Sequence, residues 1–211
     1  MVKIILLRHA QTDDNSSMKL SGHIDSKVSI YGLDQIKRTT DILKKEKIDL
    51  IYSSSSSRTR YTVNHIAKEK NLDVIVDRNL NEINFGDLEG KTFDQIKEKY
   101  KSEFDKMISL GFEYTYPNGE SFKQFHERVA NCIDQIIKKS DGKTVLICTH
   151  SGVIRSIISH LISKTYNYHW NFKIDNCSIS MLEIQDDFAV IHTLNNTSHL
   201  KAGIKYEGRE D

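Results

Sequence analysis

Short apolar runs alternate with helical apolar stripes along this chain. Lys3-Ile4-Ile5-Leu6-Leu7-Arg8 is long enough for one buried strand, and residues 49–53, 73–77 and 143–149 read the same way. Between these runs Leu33, Ile36, Thr40 and Leu43 recur at helical spacing, as do Val63, Ile66 and Ala67. The clearest stripe lies in 121–138, where Phe122, Phe125, Val129, Cys132, Ile133 and Ile136 share one face. A further helix is expected from Val153 to Ile162, burying Ile154, Ile157, Ile158 and Leu161. Strands alternating with helices predict an α/β fold with three layers, α/β/α, around a mainly parallel central sheet. Residues 177–184 and 188–194, separated by Gln185-Asp186-Asp187, predict an antiparallel hairpin at the sheet's C-terminal edge. Beyond Leu200 the chain is charged and expected to be loosely held.

Composition narrows the class. A chain of 211 residues suits one domain spanning 1–211 with a substantial core. A net charge of +1, without blocks of one sign, argues against a nucleic-acid binder. No run approaches the ~20 apolar residues that a membrane span needs. Cys132, Cys148 and Cys177 are odd in number and lack metal-ligand spacing, so reduced, packed thiols in the cytoplasm are expected. The only low-complexity stretch is the serine run Ser53–Ser57, whose flanks look ordered.

Candidate chemistry gathers at the ends of the apolar runs. The first strand delivers Arg8 and His9 to its carboxyl end, where ligands bind in open α/β sheets. Cys148-Thr149-His150-Ser151-Gly152-Val153-Ile154-Arg155 repeats the arrangement: a strand ends in a histidine and a helix begins at once. Two histidines at two strand ends can meet over one crevice. The segment Tyr52–Thr62 takes a strand end into a helix and carries Arg58 at a helix N-terminus, where free N–H groups favour an anion. A glycine-punctuated loop, Leu80–Gly90, contains Glu82, and a carboxyl shielded from water can serve as an acid near neutral pH. His65, His126, His160, His169 and His192 are read as packing residues. His23 follows the loop after His9 and could border the pocket, and His199 ends the last patterned segment.

Taken in order, these segments resemble the histidine phosphatase superfamily, the phosphoglycerate-mutase-like group. The similarity runs through Arg8-His9-Ala10, Gln11-Thr12, Asn15, Ser21-Gly22-His23, Asp25 and Gly32. It continues through Arg58 and Thr62, the Glu82 loop, Pro117-Asn118-Gly119-Glu120-Ser121, Arg128, His150-Ser151-Gly152 and Asn195–Leu200. Three departures stand out. Ala10 replaces a usual glycine, which matters only if the backbone there needs a positive φ or a very close approach. Ser21 stands where many members have glutamine, and serines occupy 55 and 56 in place of an acidic-apolar pair.

The resemblance implies that His9 is the nucleophile, that Arg8 and Arg58 bind the phosphoryl oxygens, and that His150 stabilises the transferring group. Glu82 would protonate the leaving alcohol and then assist water. Asn15, Ser21, Gly22 and Ser151 would contact substrate. Phosphoryl transfer asks for positioning and charge stabilisation, which these cations supply, so no metal or cofactor is implied. The partner implied is a small phosphate ester; the oligomeric state is open. Glu82 is followed by Ile83-Asn84-Phe85-Gly86, without the arginine that mutases carry there, which favours hydrolysis. Within the phosphatases, Leu20–His23, Leu80–Glu82, Phe85–Asp87, Pro117–Glu120 and Trp170–Asp175 look like the alpha-ribazole phosphatases of cobalamin biosynthesis. Trp170–Asp175 is placed outside the phosphate site. A helical lid insertion over about 89–120 carries Tyr100, Phe104, Phe112, Tyr114 and Tyr116, aromatics that could stack on a heteroaromatic base or simply pack the lid. A broad-specificity phosphatase is the alternative, followed by a phosphoglycerate mutase. A silent phosphate-binding module is the reading of another class, and the intact set Arg8, His9, Arg58, Glu82 and His150 argues against it.

Overall fold

The computed structural model describes residues 1–200 of the chain. The charged tail beyond Leu200 lies outside the described residues.

One six-stranded sheet organises them in the order β3-β2-β4-β1-β5-β6. The strands are β1 (Val2–Arg8), β2 (Leu50–Ser53), β3 (Val74–Val76), β4 (Thr144–Thr149), β5 (Ile179–Gln185) and β6 (Phe188–Asn196). β1 to β4 pair in parallel, whereas β5 runs antiparallel to β1 and carries β6 at the edge. The α/β layering and the antiparallel C-terminal edge are therefore as the sequence predicts. Among the described residues seven α-helices flank the sheet: α1 (Asp13–Ser16), α2 (Ile30–Leu43), α3 (Ser57–Lys70), α4 (Phe93–Lys99), α5 (Lys101–Leu110), α6 (Phe122–Lys138) and α7 (Ser151–Ser163).

The continuous apolar runs of β1 and β4 follow from burial on both faces. Val2, Ile4 and Leu6 join Val145 and Ile147 in a core completed by α6 and α7. Ile5 and Leu7 join Leu146 and Cys148 in a second core under α3. The two strands pair in register, with Arg8 opposite Thr149. Slipping β1 by one residue would draw Lys3 or Arg8 into apolar surroundings, a desolvation that costs more than a ladder hydrogen bond contributes. That register brings the residues after each strand, His9 and His150, level with each other.

Local signals set the helix starts. Ser121 and Gln124 form a capping box that opens α6, and all six stripe residues named for this helix are buried. On α2 the expected inward residue Leu33 is exposed instead, and Thr39 replaces Thr40 as the buried threonine. The inward face begins at Gly32, where a Cβ would lie 2.2 Å from the Gln11 carbonyl oxygen. Gln35 follows, its Oε1 accepting the Gln11 N–H. A polar contact thus takes a turn that the apolar pattern gave to leucine. β3 is shorter than expected and exposes Ile75 and Val76 on the sheet's other edge. The serine run is no linker: Ser53 and Ser54 are fully buried at the end of β2. Among the described residues, no helix is long and apolar enough to cross a membrane.

Candidate active site

The carboxyl ends of β1 and β4 carry the two histidines into contact. His9 donates its backbone N–H to the Thr149 carbonyl at 2.9 Å, and the His9 and His150 rings meet edge-on with centroids 5.2 Å apart. Both are almost fully buried. Their tautomers follow from their partners. His9 Nδ1 lies 2.8 Å from the Ala10 carbonyl, which only accepts, so Nδ1 carries the proton and Nε2 keeps its lone pair. His150 Nδ1 lies 3.2 Å from Arg58 Nη2, which only donates, so here Nε2 carries the proton. That Nε2–H reaches Ser54 Oγ at 2.8 Å. The Ser54 hydroxyl meets Thr59 Oγ1 at 2.7 Å, and Thr59 donates onward to the Ser56 carbonyl at 2.9 Å. Burial, and then the Arg58 guanidinium, hold both imidazoles well below their ordinary pKa, so both rings are neutral at pH 7.

Arg58 sits in the first turn of α3 and is 1% exposed. Its Nη2 donates to the Ser21 and Gly22 carbonyls and its Nη1 to the Ile24 carbonyl, while Nε is buried without a partner. The 21–24 loop is held in turn by Glu89, whose carboxylate accepts the backbone N–H groups of Gly22, His23 and Phe85. Arg8 anchors Nη1 on the Ile174 carbonyl at 2.7 Å and leaves a buried Nε unpaired. Burial lowers its pKa to about 10, so it stays charged at neutral pH.

Glu82 approaches from the loop after β3. Its Oε2 accepts the Gly152 N–H at 3.0 Å, and its Oε1 accepts the Ile83 N–H at 3.1 Å. Arg128 fixes the main chain here. It grips Glu120 with two hydrogen bonds of 2.7 and 2.9 Å and donates to the carbonyls of Asn79, Asn81 and Glu82. His23 Nε2 lies 3.1 Å from the Glu82 carbonyl oxygen, so it borders the site through backbone.

Beside them lies a cavity of about 500 Å³, lined by Arg8 and Glu82 but not by His9, His150 or Arg58. Arg8, Lys19, Glu82 and Arg155 supply its charged wall, and Phe85, Phe93, Tyr116, Phe122 and Trp170 most of its aromatic wall. A wider groove of about 860 Å³ near Tyr61, His65 and Asp73 holds none of the convergent groups.

Of the residues singled out in the sequence, His9, His150, Arg8, Arg58 and Glu82 converge, and Asn15 and Ser151 line the cavity. Ser21 and Gly22 do not line it: the Ser21 hydroxyl is spent on Asp14 at 2.7 Å and the Gly22 N–H on Glu89. They touch the site only through carbonyls on Arg58. Ala10 lies outside the left-handed region, donates its N–H to Thr62 Oγ1 at 3.0 Å and packs its methyl beside Ile36 and Cys177. The extra methyl is accommodated without strain.

Of the five aromatics expected on a lid, only Tyr116 faces the cavity. Tyr114 is buried with its hydroxyl on Glu103, and Phe112 packs on Phe122 and Tyr166. Trp170, placed outside the phosphate site from sequence, lines the adjoining cavity, as do Arg155, Asn176 and the buried His169. His199 lies beside Thr39 on α2 instead. Arg155 stood in the quoted His150 segment; only the direction of α7 could reveal that it faces the cavity. Among the described residues, no cluster of three His, Cys, Asp or Glu side chains could hold a metal ion.

The sequence profile of the Histidine phosphatase superfamily (branch 1) matches residues 4–197. Phosphoserine phosphatase 1 of Hydrogenobacter thermophilus is 32% identical over 200 residues, covering 95% of each chain. Adenosylcobalamin/alpha-ribazole phosphatase of Escherichia coli is 26% identical over 196 residues, covering 92% of this chain and 96% of that one. The crystal structure of the alpha-ribazole phosphatase from Shigella flexneri superposes with a TM-score of 0.86 at 26% identity, covering 92% of this chain and 96% of that one.

Proposed function

This chain belongs to the histidine phosphatase superfamily and is a phosphatase, and we propose that it hydrolyses small phosphate monoesters through a phosphohistidine on His9. The observation that carries this reading is the tautomer of His9. With Nδ1–H held by the Ala10 carbonyl, Nε2 presents a lone pair beside Arg8, Arg58 and His150. In the first step Nε2 forms a bond to phosphorus as the ester P–O bond breaks, and Glu82 gives its proton to the leaving oxygen. In the second, Glu82 takes a proton from water, which attacks phosphorus and frees His9. Arg8 and Arg58 offset the phosphoryl charge in a water-poor site, where such donors act most strongly. His150 flanks the transferring group. A covalent intermediate divides a barrier that enzymes of this reaction class lower by up to ~10²¹-fold in rate.

Asn15 and Ser151 are proposed as substrate contacts, and Ser21 and Gly22 as the loop that presents Arg58. We take residues 1–211 as one domain in which the insertion over about 89–120 acts as a lid, since Phe93 and Tyr116 reach the cavity from it. The three buried, free cysteines fit the cytoplasm as its compartment.

For the substrate, the aromatic wall supports the alpha-ribazole 5′-phosphate reading, with a flat base beside Tyr116 or Phe85. A second reading, a small carboxylate-bearing ester such as phosphoserine, is favoured by Arg155. The deciding experiment for the chemistry is turnover of an activated aryl phosphate in EDTA, with acid-labile phosphate trapped on the protein. Wild type should turn over and label, and His9→Ala should do neither. Undiminished turnover by His9→Ala would sink the reading.

A further inference from the structure

Arg155 is a cation with an anchor and no anionic partner. Its Nε donates to the Phe172 carbonyl at 2.8 Å and its guanidinium lies over the Trp170 ring, 5.4 Å from the centroid. Its two Nη groups carry no hydrogen bond or ion pair among the described residues, and they belong to a half-buried side chain on the cavity wall. Such a group is poorly hydrated yet fully able to donate two parallel hydrogen bonds. The neighbouring charges do not satisfy it. Glu82, the only carboxylate lining the cavity among the described residues, spends both oxygens on backbone N–H groups of Gly152 and Ile83, and Arg8 and Lys19 add further positive charge.

Position then assigns a role. The reading of this chain as a monoester phosphatase, on which this inference rests, places Arg8 and Arg58 on the phosphoryl group and Glu82 on the leaving oxygen. Arg155 sits on α7 one helical turn beyond Ser151 and Gly152, the turn that holds Glu82, and so beside the leaving group. We infer that Arg155, levelled by Trp170, is a subsite for a carboxylate carried by the leaving group, making the substrate a phosphate ester of a small hydroxy acid. The Trp170 face that Arg155 covers is then closed to a stacked base. A planar carboxylate instead meets the fork of Nη1 and Nη2 in a bidentate pair.

The test compares O-phosphoserine with phosphoethanolamine, which differ by the carboxylate alone, and uses an aryl phosphate to report the chemistry. Wild type should favour phosphoserine in kcat/KM by about 10- to 100-fold, the range of a charge-assisted hydrogen-bonded pair. Arg155→Gln should abolish that preference through KM, and Arg155→Lys should restore part of it. Aryl-phosphate turnover by wild type with no preference for phosphoserine would overturn the subsite while leaving the phosphatase reading intact. So would an equal loss by Arg155→Gln on both alkyl esters, or a stronger preference for alpha-ribazole 5′-phosphate than for phosphoserine. Absence of all turnover in wild type would overturn both. Because the wild-type comparison needs no variant, a misfolded Arg155→Gln protein would not rescue the inference.

Discussion

Gly152 and Glu82 are fitted to each other at atomic contact. The Gly152 N–H donates to Glu82 Oε2 at 3.0 Å, and a Cβ on Gly152 would lie 2.3 Å from Glu82 Oε1. Alanine at 152 must therefore displace the carboxylate, which two backbone N–H groups hold in place. Gly152 is the second residue of α7, where the same change gains less than the ~1 kcal/mol of a helix interior. The two effects separate cleanly. Gly152→Ala should keep or raise Tm while lowering kcat on alkyl phosphates by about 100-fold, the scale of a misplaced general acid. Full activity in a folded Gly152→Ala protein would show that Glu82 does not need this position.

Glu82→Gln keeps the shape and removes the proton. Loss on alkyl phosphates, whose leaving alkoxides need protonation, should reach about 100- to 10,000-fold. An activated aryl phosphate leaves as a weak base and should lose far less. Equal slowing of both esters would argue that Glu82 acts by charge or packing instead.

Much of this site was legible because strand ends announce themselves. The apolar runs stop at Arg8 and Thr149, and the histidines follow directly. Their contact is a tertiary fact: β1 and β4 are far apart in sequence and become neighbours only through the sheet order. The cavity wall was harder to read. Trp170 and Arg155 come together because the chain after α7 folds back, pinned by Arg155 to the Phe172 carbonyl and by Arg8 to the Ile174 carbonyl. Those bonds use backbone acceptors, which carry no sequence signal. Likewise Ser21 was expected as a substrate contact from the resemblance, whereas Asp14 takes its hydroxyl. The lid aromatics were ambiguous for a simple reason: Tyr114 can satisfy its hydroxyl on Glu103 and pack inward as readily as face a ligand.

Ser54 fixes His150 from behind. Its hydroxyl accepts the Nε2–H at 2.8 Å inside a buried chain that ends on the Ser56 carbonyl. Ser54→Ala leaves that N–H only the longer contact to Ser56 Oγ at 3.4 Å, a loss of about 1 kcal/mol that loosens the hold on the ring. Expected are a lower Tm and a fall in kcat of about 10- to 100-fold, the same for alkyl and aryl esters. That uniformity contrasts with Glu82→Gln and comes from transition-state stabilisation, which serves every leaving group. A Ser54→Ala protein with unchanged kcat would remove the relay from the mechanism.

Four buried histidines make this protein acid-sensitive for one shared reason. Burial lowers His126 to about 4 and His169 to about 3, and pushes His9 and His150 well below 6.5. In the unfolded chain each would titrate near 6.5. Between the unfolded and folded values the unfolded state binds more protons, so stability is complete above pH 6.5 and falls as pH drops through this window. Each histidine contributes a slope of up to ~1.4 kcal/mol per pH unit there. His126 isolates the effect, because it lies on α6 against the rings of His160 and Tyr166, and its Nδ1 is buried without a partner. His126→Leu removes one of these protons and an unsatisfied polar atom together. Chemical denaturation from pH 7 to pH 4.5 should show wild type losing stability steeply below pH 6.5. The variant should lose it with a slope shallower by about one proton. At pH 5 His126→Leu should match or exceed wild type, with its aryl-phosphate turnover reporting whether the site is intact. Parallel pH–stability curves for the two proteins would mean that His126 is already protonated in the folded state or is reached by water.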